Sequence, residues 1–173
     1  MPTEQELEAL IRARDILDAA PVPTDNRMVW PMTTQLTEHF TLEELCHSDT
    51  ADACGIDNSC PTSDIEANLL RVATVLEDIR ALCGNNPVII SSGYRCDAVN
   101  DEVGGADNSA HLYGLAADFT IPAFGTPTDV CNEIMPYLDD LQIDQLIDES
   151  SGTARWVHVG LCEGEPRCEC FQL

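Results

Sequence analysis

The order of the sequence patterns predicts an α+β fold, with a small and mainly antiparallel sheet flanked by helices. Helical patterns fill most of the first 84 residues, and strand patterns with short helical segments between them follow. This separation of helices from strands is typical of α+β proteins rather than of regularly alternating α/β proteins. A chain of 173 residues suits one core of ordinary domain size.

Capping boxes predict where the first two helices begin. Thr3-Glu4-Gln5-Glu6 opens a helix that ends before Pro21, and Thr41-Leu42-Glu43-Glu44 opens a short helix. The polar stretch from Ser48 to Pro61 is predicted to be a loop.

The longest predicted helix begins at Ser63 and ends at Gly84-Asn85. Its apolar residues recur every three or four positions, so one helix face should pack on the sheet. Shorter helices are predicted at 97–103 and 128–138, and strands at 88–90, 116–121, 145–147 and 155–161. We expect residues 1–36 to form an N-terminal helix and linker, 37–161 the main domain, and 162–173 a Cys-rich tail.

The acidic charge of the chain argues against nucleic acid and anionic membranes as partners. Eight Lys and Arg against 31 Asp and Glu give a formal net charge of -23, which repels nucleic acid and anionic lipid. No stretch is apolar enough to span a bilayer, and the N-terminus is acidic where a secretory signal is basic and then apolar. We therefore expect a soluble protein made without a signal peptide, with no nucleic-acid or membrane partner.

His111, Asp118 and His158 are the candidate metal ligands. Gly114 allows a sharp bend between His111 and Asp118, so both side chains can point to one place. Asp118 lies in an apolar run, where a charge is costly unless a metal or a cation compensates for it. Alternation along Trp156-Val157-His158-Val159 puts His158 on the face opposite the valines.

Two imidazoles and one carboxylate are a ligand set of catalytic zinc sites, in which water takes the fourth position. Such a site also needs a general base near the metal but not bound to it. Glu149 is the candidate, because the turn after it can bring the chain back alongside it in the His158 strand.

Several motifs resemble peptidase family M15, the zinc D-alanyl-D-alanine carboxypeptidase-like family, in its branch of phage and bacterial cell-wall peptidases. The metal signature is Ser109-x-His111-x-x-Gly114-x-Ala116-x-Asp118, followed by Trp156-x-His158. Three further segments are similar and occur in the same order: Phe40 to Leu45, Ser92-Gly93-Tyr94-Arg95, and Asp144-Gln145-Leu146-Ile147-x-Glu149. The resemblance covers about residues 39 to 161.

The resemblance implies a hedgehog/D-Ala-D-Ala peptidase-like fold, zinc on His111, Asp118 and His158, and Glu149 as acid/base. In relatives the glutamate lies only a few residues before Trp-x-His, so Asp148 is the alternative base. The resemblance also implies substrate binding by Arg95, for which a structural ion pair is the alternative. Ser109 and Gln145 either hold the ligand side chains in place by hydrogen bonds or serve only to pack their loops.

The implied function is a zinc metallopeptidase that hydrolyses peptidoglycan stem peptides, as a D-Ala-D-Ala carboxypeptidase or an endolysin-like endopeptidase. A phage-encoded enzyme that acts on the bacterial wall, or a virion-associated one, is the implied setting. The alternative is a zinc-binding but catalytically inactive binding or virion structural module. The bond cleaved and the oligomeric state are left open.

The nine cysteines are predicted to fall into separate groups. Cys83 and Cys131 lie on predicted helices and should be buried core residues. Loop and tail segments carry Cys54 with Cys60 and the group Cys162, Cys168 and Cys170. These cysteines form disulfides or a second, structural metal site, or they are free thiols.

Overall fold

The structure is a computed structural model, and it describes residues 33–173. A five-stranded sheet runs through this part of the chain in the order β1-β2-β4-β3-β5. The strands are β1 (Ile89–Ser92), β2 (Ala116–Thr120), β3 (Gln145–Ser151), β4 (Ala154–Gly160) and β5 (Glu169–Gln172). Every neighbouring pair is antiparallel except β3 and β5, which are parallel. The predicted α+β fold with a mainly antiparallel sheet is confirmed.

Five α-helices accompany the sheet in the described residues: α1 (Leu42–Cys46), α2 (Asp49–Cys54), α3 (Ser63–Leu82), α4 (Asp97–Glu102) and α5 (Pro127–Ile134). Two 3₁₀ turns, Ala110–Tyr113 and Met135–Tyr137, lie before β2 and after α5. The cap predicted at Thr41 is present, since its side chain accepts a hydrogen bond from the Glu44 backbone N–H. The long helix begins at Ser63, as predicted.

One sheet face packs on helices and forms the core. The fully buried face of α3 and the buried residues of α5 pack against alternate residues of the central strands. Those strand residues are Ala117, Phe119, Leu146, Val157 and Val159. The other face therefore carries Asp118 and His158, because successive strand residues point to opposite sides of a sheet.

Two predicted elements differ from the structure. The loop prediction for residues 48–61 is wrong, because α2 occupies Asp49–Cys54. Ser48 accepts from the Ala51 N–H and Gly55 ends the helix with φ +67°, so local caps form a helix too short to show an apolar period. The helix predicted at 128–138 ends at Ile134 and continues as a 3₁₀ turn.

The predicted N-terminal helix lies outside the described residues. Among residues 33–173, no helix combines the length and the apolar character that crossing a bilayer requires.

The β3–β4 hairpin and β5 form one edge of the sheet. The hairpin is paired from Gln145 opposite Gly160 to Ser151 opposite Ala154, and Gly152 has φ +60° in its two-residue turn. The segment predicted as a Cys-rich tail contributes β5, which lies along β3 as an outer strand.

Candidate metal centre

The three predicted ligands come from neighbouring elements of the sheet. Asp118 lies in the middle of β2, and His158 lies directly opposite it on β4. His111 lies in the 3₁₀ turn that leads into β2. The strands that carry Asp118 and His158 pair with each other, which puts both side chains on the sheet face away from the helices.

The turn that carries His111 is held at both ends. Ser109 precedes it and accepts a hydrogen bond from the His111 backbone N–H at 3.4 Å. Gly114 follows with φ +64°, and a Cβ added there would lie 3.0 Å from the Ile65 carbonyl oxygen of α3. The bend predicted at Gly114 is therefore confirmed, and only glycine suits it.

The tautomer of His111 is set by a backbone carbonyl. Its Nδ1 lies 2.6 Å from the carbonyl oxygen of Gly93 and donates its proton there. The other nitrogen, Nε2, is then left with its lone pair, which is the form that ligates a metal.

Three donor atoms converge in the site. His158 Nδ1 lies 2.8 Å from Asp118 Oδ1, and His111 Nε2 lies 3.3 Å from both of these atoms. Ligands about 2.0 to 2.1 Å from zinc in tetrahedral geometry stand about 3.3 Å apart. The three donor atoms thus fit around zinc if the distance between His158 Nδ1 and Asp118 Oδ1 increases by about half an ångström. All three residues are buried, so the carboxylate has little water to solvate it.

The charge of Asp118 is compensated from two sides. Burial on its own raises the pKa of the Asp118 carboxyl, but contacts with His111 and His158 outweigh it and hold the pKa well below its usual range. Arg95 donates from a terminal guanidinium nitrogen to Asp118 Oδ2 at 2.6 Å and from Nε to Ser92 at 2.9 Å. Oδ2 therefore binds arginine while Oδ1 faces the imidazoles. The ion pair considered for Arg95 is present.

Glu149 lies on the same sheet face as the ligands. It is opposite Trp156 in the hairpin, and its Oε2 accepts a hydrogen bond from the Trp156 indole N–H at 2.9 Å. Asp148 points to the other face, where Arg155 and Thr128 bind its carboxylate. The structure thus separates the two candidate bases, and of these two only Glu149 lies on the sheet face of the candidate metal ligands.

A cleft of about 860 Å³ opens beside the cluster. His111 and His158 reach its wall, and Asp118 is not among the residues that line it. The other predicted site residues all line it: Arg95, Ser109, Gln145 and Glu149. A substrate in this cleft would meet the two imidazoles, the arginine and the glutamate together.

The cysteines do not form a second centre. All nine are free thiols, and Cys83 and Cys131 are buried as predicted. Within residues 33–173, the His111–Asp118–His158 cluster is the one group of three such ligands close enough to share a metal ion. The disulfides and the structural metal site considered from the sequence are therefore absent from the described residues.

Two contacts of the candidate site were not predicted from the sequence. The Gly93 carbonyl that orients His111 is a backbone group 18 residues away, and no residue type signals it. The Trp156 contact with Glu149 had a signal, because alternation already placed Trp156 on the face of His158.

Comparison with known proteins agrees with the site. A family model described as Peptidase M15 matches residues 38–159. A zinc D-Ala-D-Ala carboxypeptidase from Streptomyces albus G is 39% identical over 82 residues, which are 46% of this chain and 30% of that enzyme. The chain thus spans under a third of the length of this curated relative.

Proposed function

Because the chain belongs to the peptidase M15 family, we propose that it is a zinc-dependent D,D-peptidase that removes the terminal D-alanine from peptidoglycan stem peptides. The name of the Streptomyces relative supports this bond. We also propose that residues 37–161 are the peptidase domain, preceded by 1–36, and that 162–173 extend its sheet by the outer strand β5; the family match over 38–159 supports the limits of the domain.

The convergence of three buried donor atoms beside an open cleft, with both imidazoles on the cleft wall, carries this proposal. The donor set is that of catalytic zinc sites, which keep one position open. A zinc ion held there supplies Lewis acidity, polarising a carbonyl and lowering the pKa of a water molecule to about 7.

Glu149 is the group that would move protons. It lines the cleft, and Oε2 is engaged by Trp156 while Oε1 has no hydrogen-bond partner within residues 33–173. Oε1 would take a proton from the attacking water and return it to the departing amine of D-alanine.

Arg95 would orient the peptide while it holds Asp118. A guanidinium has five N–H donors, and the contacts to Asp118 and Ser92 use two of them. The remaining donors are available to a carbonyl or carboxylate group in the cleft, which Arg95 lines.

The test is hydrolysis of purified muropeptides that end in D-Ala-D-Ala, followed by mass spectrometry of the products. We expect release of one D-alanine, its loss after treatment with a zinc chelator, and its recovery when zinc is restored. Cleavage inside cross-links would assign an endopeptidase instead. Activity that ignores the chelator would refute the metal mechanism, and an inactive zinc-loaded protein would favour the non-catalytic binding module.

A matched pair of variants tests the base. Glu149→Gln keeps the size of the side chain and removes its basicity, so we expect kcat to fall by about 100-fold or more. Glu133→Gln makes the same change on an exposed position of α5 and should leave kcat unaltered. Equal activity of the two variants would remove Glu149 from the mechanism.

The phage or virion setting and a role in wall lysis stay predictions. Isolated bacterial cell walls test the role in wall lysis. An enzyme that lyses walls lowers the turbidity of their suspension. An enzyme restricted to terminal D-alanine releases that amino acid and leaves the turbidity unchanged.

A further inference from the structure

The contact between Trp156 and Glu149 joins the metal-binding strand to the proposed base. The two residues are directly opposite each other in the β3–β4 hairpin, and the indole N–H lies 2.9 Å from Oε2. Trp156 is two residues before His158 on β4, so both project from the same sheet face. Strand β4 therefore carries both the candidate ligand His158 and Trp156, the hydrogen-bond partner of the Glu149 carboxylate.

A glutamate in this position needs something to hold it. Glu149 is only partly buried, and the residues that follow it in the hairpin are exposed. The Trp156 N–H is the sole hydrogen-bond donor to its side chain within residues 33–173. A free glutamate side chain samples many rotamers, and general-base catalysis needs the carboxylate within hydrogen-bond reach of its proton.

We infer that Trp156 is a positioning residue, whose indole N–H holds Oε2 of Glu149 so that Oε1 is presented to the cleft. This inference rests on the proposed function. Tryptophan suits the role because its wide, rigid ring has two side-chain torsions and a donor that cannot act as an acceptor. It fixes the carboxylate without competing for the proton that Glu149 has to carry.

The test is Trp156→Phe, which keeps an aromatic ring and removes the N–H. We expect kcat for muropeptide hydrolysis to fall by between about 10-fold and 100-fold, the range of a hydrogen bond to a charged group. KM and zinc affinity should stay within about twofold, because Trp156 does not line the cleft and is not one of the three candidate ligands. A rise in KM with unchanged kcat would make the ring a substrate surface and overturn the inference.

A double-mutant cycle separates positioning from a general structural effect. In the Glu149→Gln background, adding Trp156→Phe should change the residual rate by less than about twofold, since there is no carboxylate to position. A full Trp156→Phe loss in that background would overturn the inference. Should Glu149→Gln itself match wild type, the assignment of the base in the proposed function fails instead.

A second substitution keeps the test decisive if Trp156→Phe does not fold. Benzothienylalanine at position 156 replaces the indole N–H by sulfur at nearly the same ring size, so packing is retained while the donor is lost. The same fall in kcat is expected, and a protein with wild-type kcat would show that the hydrogen bond does not serve catalysis.

Discussion

Replacing Arg95 by glutamine should reveal that Asp118 is shared between a guanidinium and a metal ion. Arg95 contacts Asp118 Oδ2 at 2.6 Å, and the two side chains are 15% and 7% exposed. Without zinc, the variant leaves a buried carboxylate with only imidazole contacts. With zinc, the metal supplies the missing positive charge. The variant should therefore be much less stable than wild type only when the metal is absent.

The size of the effect follows from the burial of the pair. Removing one partner of a buried ion pair costs about 3 to 5 kcal/mol, and we take the lower value because two imidazoles still contact the carboxylate. For a chain of this length, about 3 kcal/mol corresponds to a fall in Tm of about 6 to 12 °C. In zinc-loaded protein the fall should shrink to a few degrees.

Thermal unfolding followed by circular dichroism, with chelator or with zinc, measures both values. Arg155→Gln is the matched control, because Arg155 binds the buried carboxylate of Asp148 on the opposite sheet face. Its loss of Tm should be the same with and without zinc. If the Arg95 variant shows the same fall in Tm with and without zinc, the metal does not compensate for the missing guanidinium and the reasoning is refuted.

Three further predictions concern the surroundings of the site. Gly93→Ala should weaken zinc binding by about 10-fold to 100-fold in competition with a chromophoric chelator, because a Cβ would lie 2.2 Å from a backbone oxygen and displace the carbonyl that orients His111; unchanged affinity would contradict this. Hydrogen bonds from Arg167, only partly opposed by burial, lower the pKa of the Asp144 carboxyl. The stability that this ionised carboxylate contributes is present above the ordinary carboxyl pKa of about 3.9 and is lost as the pH falls below that value. Asp144→Asn should thus lower Tm by about 2 to 4 °C at pH 7 and by less at pH 2.5; an equal loss at both would speak against the ion pair. Titration with a thiol reagent should count nine thiols in denaturant and find Cys46, Cys83 and Cys131 slowest in the native protein, since burial raises their pKa values to about 12, about 11 and about 12; fewer than nine would indicate disulfides.

The cluster of three candidate metal ligands was predictable because each residue left a signal within its own segment. Asp118 is a charge inside an apolar strand, His158 alternates with valines, and Gly114 permits the bend after His111. Strand pairing then brought them together, as opposite positions in β2 and β4 must do.

The supporting contacts were not predictable, since they depend on where distant segments pass. The Gly93 carbonyl reaches His111 because the chain turns after β1, and Asp118 receives Arg95 from the same turn. The parallel pairing of β5 with β3 likewise joins segments whose sequences show no sign of each other. Helix α2 is only six residues long and is defined by its caps rather than by an apolar period.

The β3–β4 hairpin has a consequence for how this protein can vary in evolution. Glu149 faces Trp156 across a ladder that continues through Ser150 and Ser151 to the turn at Gly152. Lengthening or shortening that ladder by one rung changes the spacing between Glu149 and His158 by two residues and keeps both on one face. An odd insertion within the paired residues, unless a bulge or a longer turn absorbs it, would turn the glutamate away from the candidate metal site. Length changes in the paired part of this hairpin should therefore occur in even steps.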